Sequence, residues 1–350
     1  MKRVVRLLVV LMTLVLLSTS AVLAESVTLK LNWVPGGDHI FYFVAKDLGY
    51  YQAKGLDVRI ERGQGSGDTV KRVELGTADI GLADTGTLVV ARSKGSKVKV
   101  VAMIYSNSPN GIKTTRKSGI RTPKDLEGKS VGVPAGDAQR VLWPALVKAN
   151  GIDMNKVRLI NIMPAAKAQA LAAGTVDAVF DWIVGNMGYW ETGLDKDNLV
   201  LIPWALFDVN PYGNALMASE KTISERPEMI RKFLDATMKA WQWSIQNPQK
   251  AIEIFVKNAP EVPPLAAEIR FVDDLTGLVD VEMAQKNRMG WIDRTRMQQT
   301  VDNINEYFEV DRKVTADEMY ATQFLPDYKM PSTAGLAKVD ELYKRWQAQK

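Results

Sequence analysis

Apolar and polar residues alternate from Val27 to Trp33, the period-two pattern of a half-buried strand. Asp38 to Lys54 then carries helical spacing, and Gly55 is placed to stop it. Leu56–Glu61 reads as a second strand, and Asp68 reads as the cap of a helix that runs to Leu75 and ends at Gly76. Asp79–Ala83 and Val98–Tyr105 read as the third and fourth strands. This alternation predicts an α/β protein whose parallel sheet is covered by helices.

The pattern then restarts. Ser130–Pro134, Val157–Met163 and Val176–Trp182 read as strands. Between them lie a helix from Asp137 to Asn150, which Pro144 can kink, and a helix over Ala165–Ala173. Two signatures recur in the same order. Ala53-Lys54-Gly55-Leu56-Asp57 is echoed 96 residues on by Ala149-Asn150-Gly151-Ile152-Asp153, and Gly76-Thr77-Ala78-Asp79 is echoed 98 residues on by Gly174-Thr175-Val176-Asp177. Each marks a helix that ends at glycine before a buried strand, so two similar α/β lobes are expected. After about Asn214 the chain reads as mainly helical. The turn-rich runs Ser106–Gly111 and Asp208–Gly213 are candidate crossings between lobes. They divide the chain into a first lobe over 25–108 plus 214–350 and a second over 109–213, with a cleft between them.

Residues 1–24 stand apart. Lys2, Arg3 and Arg6 precede an apolar run from Leu7 to Leu17 and the small-residue end Ala21-Val22-Leu23-Ala24. That is the layout of a secretory signal peptide, too short in its apolar part for a membrane span. Val22/Ala24 and Thr19/Ala21 are the two candidate cleavage pairs. Cleavage after Ala24 removes three of the 45 Lys and Arg, so 42 cations face 40 Asp and Glu, a net charge of +2. A nucleic-acid footprint is not expected from that balance. The 350 residues include no Cys and one His, which excludes disulfides, thiol catalysis and Cys-ligated metals, and gives a lipoprotein anchor no thiol. The expectation is a monomer free in a periplasm, with no cofactor and no metal.

Ligands in open α/β sheets bind beyond the carboxyl ends of the strands. That rule selects the loop Asn32–His39, the glycine run Gly63–Gly67 with Ser66, and Asp84-Thr85-Gly86. In the second half it selects Gly136–Ala138, Asp181-Trp182, Asn186 and Tyr189; the second crossing adds Asn210, Tyr212 and Asn214. Asn32, Trp33, His39, Ser66, Asp84, Thr85, Asp181, Trp182, Tyr189 and Tyr212 are the candidate ligand contacts. Trp33, Trp182, Tyr189 and Tyr212 offer flat faces to a planar ligand, or simply pack in a core. Asp68 and Asp137 read as helix caps, whereas Asp84 and Asp181 end strands with no capping role assigned. Two such carboxylates favour a ligand with amino or amidine donors. His39 is either a ligand contact or the first residue of a surface helix.

Catalytic motifs are missing. The glycine run lacks dinucleotide spacing, and Gly128-Lys129-Ser130 has Pro123 where a phosphate loop needs glycine. No Gly-x-Ser-x-Gly elbow occurs. No catalytic residue is therefore assigned.

Leu31-Asn32-Trp33-Val34-Pro35 with Asp38-His39, Lys46–Tyr51, Gly55–Val58, Glu74–Asp79, Lys124–Lys129, Gly136–Arg140 and Asn210–Asn214 together resemble periplasmic substrate-binding proteins of ABC importers. The branch resembled is that of thiamine-pyrimidine-precursor binders, neighbours of nitrate, sulfonate and taurine binders. The resemblance implies a type II periplasmic-binding-protein fold, with two doubly wound sheets joined by two hinge crossings. It implies capture of a small aromatic or heterocyclic nutrient, favouring a thiamine pyrimidine precursor, and delivery to a permease in the inner membrane. It carries over Asn32, Trp33, His39, Ser66, Asp84 and Thr85 as contacts, with Asp181, Trp182 and Tyr212 beside them. The alternatives it leaves are a nitrate, sulfonate, taurine or aromatic-acid binder, and a pyrimidine-synthesis enzyme of the same fold. The absence of a Cys cluster separates this chain from eukaryotic synthases of that kind.

Overall fold

The computed structural model describes residues 24–308 and 311–349, so the signal segment read over 1–24 lies outside them except for Ala24. Ten strands occur among the described residues. They are β1 (Glu25–Lys30), β2 (Leu56–Glu61), β3 (Ile80–Asp84), β4 (Val98–Met103) and β5 (Asn110–Thr115), then β6 (Ser130–Gly132), β7 (Arg158–Ile160), β8 (Ala178–Trp182), β9 (Leu199–Pro203) and β10 (Asn214–Ser219). They form two five-stranded sheets, ordered β2-β1-β3-β10-β4 and β7-β6-β8-β5-β9.

The two sheets share one plan. In each, four strands run in one direction and one, β10 or β5, runs antiparallel between the third strand and the edge. The expected all-parallel sheets are therefore mixed. The helical reading after Asn214 starts one element early, because β10 is buried at all six positions. A strand covered on both faces shows no alternation, so periodicity cannot separate it from a buried helix.

The recurring signatures occupy equivalent places. Gly55 and Gly151 precede β2 and β7, while Gly76 and Gly174 precede β3 and β8. All four hold left-handed backbone, with φ of 73, 58, 70 and 68°. Glycine adopts that conformation without a Cβ penalty and so ends the preceding helix. The aspartate that follows does the same work in each half. Asp79 Oδ2 accepts from Thr28 N at 2.7 Å, and Asp177 Oδ2 from Ser130 N at 2.8 Å, pinning each third strand to its inner neighbour.

Helix boundaries differ in three places, the first being Ala165–Ala173, which is a turn at Pro164–Ala166 followed by a helix at Lys167–Ala172. The segment Asp38–Lys54 divides into a turn at Gly37–His39, a helix at Ile40–Asp47 and a short helix at Tyr50–Ala53, separated at Gly49 with φ 70°. Asp68 does not cap its helix. That helix is Ser66–Glu74 with Gly65 at the cap position, and Asp68 lies in its first turn.

The chain leaves the first sheet after Met103 and returns at Asn214, and the two crossings lie side by side. Ile104 and Tyr105 both donate their N–H to Asn214 O, at 3.0 and 2.9 Å. A Cβ at Gly213 would press on Asn107 O at 2.5 Å and Tyr105 O at 2.7 Å, so glycine is what allows this approach. The C-terminal helices cover the first sheet. Pro227–Gln246 lies along Ile40–Asp47, with Phe41 stacked on Trp241 at 4.9 Å between ring centres. The last helix, Val339–Gln347, touches both halves. Tyr343 meets Trp190 of the second half at 4.5 Å, and Arg345 pairs with Glu268 of the first at 3.1 Å. Among the described residues, no helix is long and apolar enough to cross a membrane.

Candidate functional site

A cavity of about 140 Å³ lies where the carboxyl ends of the two sheets face each other. The first half contributes the loop after β1, with Asn32, Trp33 and Asp38, and Ser66 at the start of the glycine-loop helix. The second half contributes Asp137 and Gln139 after β6, and Asp181 and Trp182 at the end of β8. The glycine run is tied to the first loop by Gly63 N to Trp33 O and Gly65 N to Asn32 O, both 2.8 Å. It also touches the opposite half, where Gly67 N donates to Gly136 O at 3.0 Å. Gly65, at φ 121°, leaves no room for a Cβ against the Gly136 carbonyl. The glycines thus let two backbones meet at the mouth of the cavity.

Two cations cross the cleft in opposite directions. Lys167 of the second half sits 4.6 Å from the Trp33 ring centre, and Arg270 of the first half sits 4.6 Å from that of Trp182. Each cation is held by carboxylates of its own half. Lys167 Nζ pairs with Asp137 Oδ2 at 2.8 Å and Asp181 Oδ1 at 3.4 Å. Arg270 Nε donates to Asp274 Oδ2 at 2.7 Å, and its Nη2 is 3.7 Å from Asp38. A desolvated cation–π contact is worth up to about 2 kcal/mol, so the pair draws the halves together.

The buried charges shift one another. Burial alone would raise the Asp181 carboxyl, but Lys167, Lys113 and the Tyr189 hydroxyl hold it well below the ordinary range. Burial lowers Lys113 to about 8 against the pull of Asp181. Burial also acts against Lys167, yet Asp137 and Asp181 raise it, so it remains an ammonium.

Five candidate contacts meet on this wall: Asn32, Trp33, Ser66, Asp181 and Trp182. The other five, His39, Asp84, Thr85, Tyr189 and Tyr212, lie off it and bond within the chain. His39 is 0 % exposed and packs behind the first loop, where Nε2 meets Asn32 Oδ1 at 2.9 Å and Nδ1 accepts from Gly36 N at 3.2 Å. It is neither a surface residue nor a wall residue. Burial pushes its imidazole down, with Asp38 opposing and Arg270 assisting.

Asp84 has the capping role that its position at a strand end concealed. It precedes the helix Thr85–Ser93 directly, and its Oδ1 accepts from Thr87 N at 2.7 Å. Burial raises its carboxyl to about 6. The Thr85 hydroxyl donates to Gly213 O at 2.7 Å, tying that helix to the second crossing. Tyr189 stands behind Asp181, donating its hydroxyl to Oδ2 with Lys113 4.3 Å over its ring. Tyr212 is at the second crossing, where its hydroxyl accepts from Asp293 N at 3.2 Å and Arg296 covers its ring at 5.5 Å. Asp137 caps its helix as expected, accepting from Gln139 N at 3.0 Å, and lines the cavity as well.

Lys167 and Arg270 were absent from the candidate residues. Lys167 follows β7, so the carboxyl-end rule reaches it once the loop after that strand is included. Arg270 sits inside the helix Pro264–Gly277, where only its i,i+4 spacing to Asp274 is visible locally. Among the described residues, no group of three His, Cys, Asp or Glu could hold a metal ion.

Over most of its length the chain is similar to several known proteins. The formylaminopyrimidine-binding protein of Halalkalibacterium halodurans is 24% identical over 300 residues, covering 85% of this chain and 90% of its own. The 4-amino-5-hydroxymethyl-2-methylpyrimidine phosphate synthase of Legionella pneumophila is 24% identical over 319 residues, covering 87% and 94%. Among solved structures, the alkanesulfonate-binding protein SsuA from Xanthomonas axonopodis pv. citri, bound to MOPS, superposes with a TM-score of 0.63 at 15% identity. That match covers 85% of this chain and 98% of the other, and the shared architecture is the two-lobed periplasmic-binding-protein fold. With the NMT1/THI5-like family model matching residues 37–251, the chain belongs to that family.

Proposed function

We propose that this protein is the solute-binding component of an ABC importer and that it captures a single-ring planar heterocycle of the pyrimidine class. The cavity between Trp33 and Trp182 carries the reading: at about 140 Å³ it matches the scale of one six-membered ring. An apolar cavity of about 150 Å³ is known to accept benzene. The two tryptophans sit on opposite halves, so a flat ligand between them gains contact area only when the halves meet. Differential affinity for that closed state drives closure. In this reading the lobes are residues 25–108 with 214–350, and 109–213. The protein acts as a monomer in the periplasm and hands its ligand to a permease.

Binding without turnover follows from the chemistry of the wall. Its carboxylates are paired with Lys167 and Arg270, and the single imidazole is buried behind Asn32. Among the described residues, no unpaired base faces the cavity beside a nucleophile. The Legionella relative named as a synthase makes a pyrimidine-forming enzyme the second reading. Isothermal titration with formylaminopyrimidine, riboflavin, benzoate and an alkanesulfonate separates the ligand classes. Formylaminopyrimidine should bind best and be recovered unchanged after overnight incubation. Binding of the sulfonate alone would overturn the ligand class, and chemical conversion of the pyrimidine would favour the synthase.

A further inference from the structure

The cavity wall contains more unspent hydrogen-bond donors than its carboxylates suggest. Asp137 Oδ1 already accepts from Gln139 N and Oδ2 from Lys167. Asp181 Oδ1 accepts from Trp182 N at 2.9 Å, and Oδ2 takes the Tyr189 hydroxyl. Ser66 Oγ accepts the Asp84 N–H at 3.0 Å and keeps its own proton to give. Gln139 Nε2 is buried with no partner among the described residues.

Asn32 is the decisive group, because an amide can present either its oxygen or its nitrogen. The backbone N–H of Gly36 can only donate, so His39 Nδ1, 3.2 Å away, must accept. A neutral imidazole then carries its proton on Nε2. That nitrogen is 2.9 Å from the Asn32 side chain and 3.3 Å from Asp38 Oδ2. The Asn32 atom facing it must therefore be the oxygen, and the amide nitrogen is left for the cavity.

We infer that His39 is a positioning residue that locks Asn32 as a hydrogen-bond donor, so the ligand turns an acceptor edge, an unprotonated ring nitrogen or a carbonyl, towards Asn32, Ser66 and Gln139. This deepens, and for its ligand arm rests on, the pyrimidine-class reading above. It reverses the expectation that the acidic loops select an amino group first. Asp137 and Asp181 are occupied by Lys167, while the neutral donors are free. The groups facing the imidazole are Asp38 and Arg270, with the Tyr42 ring 6.4 Å away.

The test has two arms. The chain has one histidine, so a ¹⁵N-histidine-labelled sample gives a single imidazole in long-range ¹H–¹⁵N spectra. At pH 7.5 the Nε2–H tautomer is expected with or without ligand. An Nδ1–H tautomer or an imidazolium overturns the inference, whatever the ligand proves to be. The second arm titrates 4-aminopyrimidine against aniline, which shares the amino group but lacks ring acceptors. The wild type should prefer 4-aminopyrimidine by about tenfold or more, the value of one buried donor satisfied against left unpaired. His39→Gln, which can place an N–H near the same point, should retain that ratio. His39→Leu should reduce it to within about threefold, and Asn32→Asp should lose 4-aminopyrimidine binding. An unchanged ratio in a folded His39→Leu protein overturns the positioning role. Failure of both rings to bind the wild type, with the tautomer as expected, overturns the pyrimidine-class reading and the acceptor-edge ligand together, but leaves the Asn32 lock standing.

Discussion

Asp84→Asn offers a measurement whose sign and size follow from position. Asp84 is buried and caps the helix Thr85–Ser93 through Oδ1. Burial raises its carboxyl from 3.8 to about 6, with bonds from Thr87 and Asn110 opposing the effect and the charge of Asp137 adding to it. A group that binds its proton more tightly when folded lowers stability as pH rises between the unfolded and folded values. The cost is absent well below pH 3.8, accumulates to about pH 6, and is constant above. Converted at 1.36 kcal/mol per pH unit, it reaches ~3 kcal/mol above pH 7. Asparagine keeps an oxygen for the cap and carries no charge. Urea denaturation of both proteins at pH 4 and pH 8 should show the variant more stable by up to ~3 kcal/mol at pH 8, with the difference mostly gone at pH 4. Ligand affinity should stay within about twofold, because Asp84 is off the cavity wall. A pH-independent difference, or a variant less stable at pH 8, would refute the argument. Lost binding with unchanged stability would restore Asp84 as a ligand contact.

Three further outcomes follow from the site and the tail. Gly65→Ala should push the Gly136 carbonyl away, lower ligand affinity about tenfold or more, and enlarge the radius of gyration measured by X-ray scattering with ligand present. Lys167→Met leaves Asp137 without its buried cation and Asp181 with Lys113 alone, so denaturant unfolding at pH 7 should show a loss of about 3–5 kcal/mol that shrinks as the carboxylates protonate in acid. Trp346→Ala removes a buried ring from the cluster joining the last helix to both halves; a loss of about 3–5 kcal/mol is expected, with trypsin cutting first after Lys344 or Arg345. A stable, trypsin-resistant tail in that variant would show that the helix is held elsewhere.

Much of the architecture could be read locally. A helix stopped by left-handed glycine is a short-range event, and Gly55, Gly76, Gly151 and Gly174 each mark one. Their spacing exposed two lobes of one plan, and the strand-end rule reached Asn32, Trp33, Ser66, Asp181 and Trp182. Asp84 and Asp137 illustrate the limit. Both cap helices, but only Asp137 also faces the cavity, and no local pattern distinguishes them. β10 was unreadable for a related reason, since full burial erases the alternation that announces a strand.

What the chain determined by itself was the list of elements, the duplicated plan and the loops from which a site could be built, because helix stops, caps and alternation depend on neighbours a few residues apart. Tertiary structure alone decided which of those loops share a wall. It brought Arg270 onto Trp182, 88 positions away in the chain, and Lys167 onto Trp33, 134 away. It also placed the one imidazole behind Asn32 instead of beside the ligand. Whether a carboxylate is free to bind or already neutralised depends on such distant partners, and Coulomb and hydrogen-bond energies are set by distance in space, not by separation along the chain.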